Sequence, residues 1–208
     1  MRNIKKSLAT VLLIAVLTVI LSVPGYAINV YWDKTATYSP SDTLLVHSTV
    51  EKWDGTGEYG EYPTRKGTIL VTEDALFGGL VGHAAIVYSA TQIIHAAPQG
   101  VIVDKNNWRT VREGGFVGLA VRDTDVDMDA KVAEWCKEQV GASYCLLPFM
   151  WKERDVFYCS HLIYCGYKDI AGVDLNTKSL WYPGLVAPYE LINSKETYLI
   201  YARNWSRN

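Results

Sequence analysis

Between Lys66 and Asp123 the chain carries five strand-length apolar segments set close together: "KGTILVT", "HAAIVYS", "TQIIHAA", "GVIVD" and "GFVGLAVRD". Each is bounded by turn residues and rich in Val, Ile and aromatic side chains, as strands are. The segments read as a meandering antiparallel sheet. The period then changes. In "DMDAKVAEWCKEQVG", Met128, Val132, Trp135, Cys136 and Val140 recur at helical spacing, with Asp127 or Asp129 as the expected start and Gly141 as the stop. "RDVFYCSHLIYCGYKDI" predicts a second helix capped by Asp155, with Cys159 in its first turn and Cys159, Ile163, Gly166 and Tyr167 on one face. "PYELINSKETYLIYARN" predicts a turn or short helix and a last strand. Strands followed by helices give an α+β class, an antiparallel sheet packed against helices.

A chain of 208 residues, 49% of them hydrophobic, has material for one domain with its own core. Three segments are expected. Residues 1–27 have a basic start, a long apolar run and a "PGYA" ending, which is the pattern of a secretory signal peptide. The run is also long enough to span a bilayer as a retained anchor. Residues 28–65 are polar, aromatic and turn-rich, a lead-in with one short strand expected around 44–50. Residues 66–208 form the domain proper. Without Arg2, Lys5 and Lys6 the chain has 17 basic and 22 acidic residues, a net charge of about −5. No basic footprint for nucleic acid is present, and no stable protein partner is implied.

The hairpin "HAAIVYSATQIIHAA" holds two histidines, His83 and His95. Opposed residues in an antiparallel pair have a constant sum of numbers and share a face. A two-residue turn at Ala90–Thr91 gives 181 and puts the rings on opposite faces. A three-residue turn gives 178, with the rings directly opposed, or 180, with the rings diagonal on one face. The turn has no Gly or Asn-Gly to force the two-residue form, so an odd or bulged turn is expected. Two imidazoles on one face then supply a base and the group that orients it.

The matching nucleophile is Cys159. A thiol in the first turn of a helix meets the positive end of the dipole, an imidazolium beside it lowers its pKa further, and the backbone N–H groups there can hold an oxyanion. Cys145 sits in loop text. Cys136 lies on an apolar stripe and reads as a buried packing residue. Cys165 is expected to pack, or to pair with Cys145 or Cys136 as a disulfide. His161 points away from the thiol and is expected at the surface or behind the site.

These residues carry a resemblance. "GTILVT…GHAAIVY…IIHAAPQGV…W", followed by "FYCSHLIY" and "PYELINS", resembles the circularly permuted branch of the NlpC-type papain-like cysteine hydrolases, the YiiX/YebB-like group, over about two thirds of the chain. The resemblance implies Cys159 as nucleophile, His83 as general base and the "IIHA" residue as the third member. That third residue is His95, where an acidic residue is common in the YiiX-like group. In this it is similar to the lecithin retinol acyltransferase group, a lipid-acting branch of the same fold. Tyr144 matches an aromatic residue before the cysteine helix, and Tyr144 and Ser160 are the candidates for lining the acyl pocket or assisting the oxyanion. The implied activity is metal-independent hydrolysis of an amide through a thiol acyl-enzyme, with ester or acyl-transfer chemistry as the alternative. No cofactor is implied, and export makes cell-wall peptide the expected substrate. Two other classes compete. His83, His95 and Cys159 have the chemistry of zinc ligands. Trp108, Trp151, Trp181 and Tyr182 could form an aromatic platform for glycans in an inactive binding module.

Overall fold

The computed structural model describes residues 57–74, 82–146, 153–178 and 185–205. The expected leader, the strand at 44–50, and Trp151, Trp181 and Tyr182 lie outside them. In chain order the elements are β1 (Glu58–Tyr59), β2 (Ile69–Thr72), β3 (His83–Ser89), β4 (Gln92–Ala97), β5 (Gly100–Lys105), α1 (Trp108–Val111), β6 (Phe116–Val121), α2 (Val126–Glu138), β7 (Ser143–Tyr144), β8 (Val156–Phe157), α3 (Cys159–Gly166) running into a π-helical turn (Tyr167–Ala171), α4 (Pro188–Asn193) and β9 (Thr197–Arg203). The fold is α+β. Seven strands form one antiparallel sheet in the order β1-β9-β6-β2-β3-β4-β5, and β7 and β8 make a small parallel pair beside it.

Alternation along the strands divides the core into two layers. Ile69, Val71, Ala84, Ile86 and Ile94 face the helices, where they meet Leu162 and Ile163 of α3. Leu70, Ala85, Val87 and Ile93 face the other way, with Trp108 of α1 and Phe116. Every central strand is buried on both faces, which explains why these segments read as near-continuous apolar text.

The helix starts differ from expectation. Asp125 caps α2 by accepting the Met128 N–H at 2.7 Å. Asp129 is instead 1% exposed and pairs with Arg65 at 2.5 Å, with further hydrogen bonds from Thr124 and Tyr167. The cap of α3 is Tyr158 rather than Asp155, and its side chain makes no capping hydrogen bond. All of α3 is buried, so its one-sided stripe is in fact a surround.

The described end of the lead-in, residues 57–65, belongs to the fold. Glu58–Tyr59 pairs with the C-terminal strand, and Arg65 is 6% exposed, so the folded unit extends back before Lys66. Gly67 explains how the chain passes there. Its φ is +89°, and a Cβ would sit 2.5–2.8 Å from atoms of Asp129, so only glycine lets β2 approach α2 at this point. Removing one partner of a buried ion pair leaves an uncompensated charge, and Asp129→Ala should cost about 3–5 kcal/mol of unfolding free energy by urea denaturation.

Candidate active site

The β3–β4 hairpin fixes where its histidines point. Val87 pairs with Ile93 and Ser89 with Gln92, so Tyr88 is an extra residue, a β-bulge. The turn itself is the two-residue Ala90–Thr91. Neither residue has positive φ, so the turn is not of the primed type whose twist suits a tight hairpin. The bulge changes the sum from 181 at the turn to 180 beyond it. That places His83 and His95 diagonally on one face, as the bulged alternative expects.

His83 Nε2 and His95 Nδ1 are 2.7 Å apart, one hydrogen bond, with ring centroids at 4.9 Å and planes at 81°. Trp108 lies against His83 at 6.0 Å between centroids. Trp108 is only 2% exposed, so it covers the histidine pair rather than forming a surface platform. The Arg112 guanidinium lies over the Trp108 ring, 4.6 Å from its centroid. Burial pushes the His83 imidazole down to about 3, and the neighbouring His95 and Arg112 push in the same direction. Burial lowers His95 too, with Asp104 acting against it and Arg112 with it. Asp104 Oδ2 is 3.8 Å from His95 Nε2. The sequence reading passed over Asp104 as strand text. The signal was available, since the two-residue turn after Ala97 sets Ile102 opposite His95 and puts Asp104 on the same face one pleat away.

Cys159 is the first residue of α3 and is 7% exposed. Its thiol is pushed up by burial, partly offset by the backbone N–H groups of Ala84, Ser160 and Cys159 and by the Ser160 hydroxyl. Burial thus outweighs the hydrogen bonds that favour the thiolate. Among the described residues no hydrogen bond joins the Cys159 sulfur to His83 or His95. The reason is alternation. Cys159 belongs to the helix-side core with Ala84, whereas His83 shares parity with Ala85 and Val87 on the other side. The two groups meet at the same end of β3, with the sulfur at the Ala84 amide, one residue from His83.

The remaining candidates divide. Tyr144, half-buried on β7, is pushed up to about 12 by burial and then by Cys159 and Cys145. Its hydroxyl therefore stays protonated near the thiol. The Ser160 hydroxyl donates to the Val186 carbonyl at 2.5 Å, and the hydroxyl and N–H of Ser160 both lie at the Cys159 sulfur. His161 is 0% exposed, stacked 5.0 Å from Tyr158, and so is not a surface residue. All four cysteines are free thiols, and Cys165 is buried, the packing role of its two alternatives. Cys136 is fully buried, as its stripe position predicts.

No protein-family model matches the chain, and no curated protein matches it. Among solved structures it is similar to the metalloprotein yiiX from Escherichia coli O157:H7, at 16% identity and a TM-score of 0.53, over 69% of this chain and 99% of that one. At this identity the likeness is one of fold, and it agrees with the YiiX-like resemblance at that level.

A histidine whose folded pKa is depressed supports stability above its unfolded value of about 6.5, and that support is lost as pH falls toward the folded value. The native state should therefore lose stability between about pH 6.5 and pH 3. His83→Gln should flatten that loss, read as the change in Tm between pH 7 and pH 4 for the two proteins.

Proposed function

We propose that this chain is an exported cysteine hydrolase that cleaves an amide through a thiol acyl-enzyme. The observation that carries the reading is the His83–His95 hydrogen bond at the end of the strand whose Ala84 amide meets the Cys159 thiol. With Nε2 committed to His95, Nδ1 is the nitrogen of His83 left to act as a base. The α3 start supports the same reading. Its first N–H groups have no side-chain cap, and a buried helix end without one leaves donors for a ligand.

In the reaction the Cys159 sulfur attacks the carbonyl carbon and its proton passes to His83 Nδ1. The Cys159 and Ser160 N–H groups and the Tyr144 hydroxyl face the developing oxyanion. The tetrahedral intermediate collapses, and the leaving amine takes the proton from His83. Water, deprotonated by His83, then attacks the thioester and regenerates the thiol. His95 holds the His83 ring and stabilises its imidazolium form. Burial keeps both groups neutral at rest, so proton transfer accompanies attack rather than preceding it. The basic, apolar N-terminal segment supports export, and export points to peptide of the cell wall as substrate. The second histidine also suits ester or lipid acyl chemistry, so both bond types belong in the test.

A metal centre fits these residues poorly. Two imidazole nitrogens on one tetrahedral zinc stand about 3.3 Å apart. Here the facing nitrogens are at 2.7 Å, the spacing of a shared proton. No group of three or more potential ligands is gathered among the described residues.

Cys159→Ala should lower turnover of an amide or ester reporter by at least about a thousandfold, and His83→Ala by nearly as much, because members of one unit are not additive. His95→Gln should retain measurable activity and His95→Ala less. Cys136→Ala and Cys165→Ala should leave the chemistry intact. An active Cys159→Ala variant would mean that another group is the nucleophile. Labelling of Cys159 by a thiol probe should not depend on a chelator; labelling only after chelation would favour a metal centre.

A further inference from the structure

We infer that Asp104 is a positioning residue of this site: its carboxylate selects the His95 tautomer that leaves His83 Nδ1 free to accept a proton. The inference rests on the hydrolase reading for its consequence, but its geometry stands on observations that the reading does not use. His95 is 7% exposed, and its Nε2 atom is buried with no hydrogen-bond partner. Asp104 Oδ2 lies 3.8 Å from it. On β5, Ile102 pairs with His95 and Ile93 with Asp104, so the carboxylate lies diagonally across from the ring on its own face. The other carboxylate oxygen accepts the Lys105 N–H at 2.7 Å, which fixes the group and leaves Oδ2 toward His95.

Only one proton lies in the His83–His95 hydrogen bond, and it has two possible owners. If His83 Nε2 donates, His83 Nδ1 carries a lone pair and His95 carries its proton on Nε2, toward Asp104. If His95 Nδ1 donates, His83 must hold its proton on Nδ1, where it cannot take another from the thiol. His95 Nε2 would then present a buried lone pair to a carboxylate. The negative charge disfavours the second arrangement and favours the first, which is the competent one. When His83 later accepts a proton, the same carboxylate partly offsets the positive charge relayed through His95. Arg112, which packs beside the rings from the segment after α1, acts in the opposite direction on both. Asp104, His83 and Arg112 are the charged and titratable groups that face His95.

The test uses the full chain and two readouts. Long-range 1H–15N correlation at pH 7.5 should show both His83 and His95 protonated on Nε2 in the wild type. In Asp104→Ala the two tautomers should mix, and Asp104→Glu should restore the bias. Asp104→Asn removes the charge with little change of shape, and it should move the tautomers in the same direction if the alanine variant unsettles the β4–β5 pairing. On a reporter that the wild type turns over, Asp104→Ala should lower kcat about two- to fivefold, a modest figure because the carboxylate is exposed to solvent. The acid limb of kcat/KM should move to lower pH, since the carboxylate that favours positive charge on His95, and through the hydrogen bond on His83, is gone. A structural defect would reduce the amount of active protein without moving that limb. A wild-type His95 protonated on Nδ1, or tautomers unchanged in both Asp104→Ala and Asp104→Asn, would overturn the inference even if hydrolysis is confirmed. A protein inert toward every acyl reporter would sink the hydrolase reading, and the tautomer measurement would still decide the role of Asp104.

Discussion

The bulge at Tyr88 is the constraint on which the site depends. Strand side chains alternate with a period of two, so a one-residue change of register moves a whole strand to its other face. Ala90 and Thr91 close the hairpin in two residues and without positive φ, a geometry whose twist does not match the strands. The extra residue absorbs the mismatch and turns an odd pairing sum into an even one. Without it Ile94 and His95 would exchange faces, and an imidazole would enter the helix-side core while isoleucine faced His83. A local solution to turn strain therefore decides whether the two rings can meet at all.

Burial sets the resting electrostatics more firmly than the local dipoles do. A thiol at a helix start and an imidazole nearby are often read as a preformed ion pair, but here desolvation raises the one and lowers the other. The N–H groups at Ala84, Cys159 and Ser160 offset part of the cost to a thiolate without removing it. Trp108 and the sheet exclude water from the rings and so add to the same effect. A neutral pair also protects the thiol, because the thiolate is the form that oxidises and alkylates.

Local period was legible in the sequence, and long-range packing was not. The strands at 69–72, 83–89 and 116–121 and the helix over 126–138 stand where alternation and helical spacing place them. The even parity of the hairpin was legible as one of a few options, because a turn without glycine had to distort somewhere. Asp129 was misread as a cap because nothing local reveals that Arg65 returns from 64 residues upstream to meet it. Asp155 failed as a cap for a related reason: Val156–Phe157 is drawn into a strand pair with Ser143–Tyr144, so the helix starts later. Helical spacing turns His161 away from the thiol but leaves open whether it meets solvent or the core, and three aromatic rings settle that by packing around it. Asp104 needed the parity argument carried one hairpin further.

The site is divided between the two faces of β3, and the end of that strand is where such a division can work. In the middle of a strand, groups on opposite faces are separated by the full backbone layer and cannot exchange a proton. His83 is the first residue of β3, so its ring lies where the layer ends. Cys159 is the first residue of α3, and its sulfur reaches the amide next in line. Each group therefore sits at the terminus of its own element. A rotation of the His83 side chain about its own bonds, rather than a movement of sheet or helix, is the displacement that would bring Nδ1 toward the sulfur. Resting hydrolases commonly hold such contacts long and tighten them only with substrate bound. The His95 hydrogen bond limits how far His83 can turn, and so ties the ring to the sheet while leaving Nδ1 outside that bond.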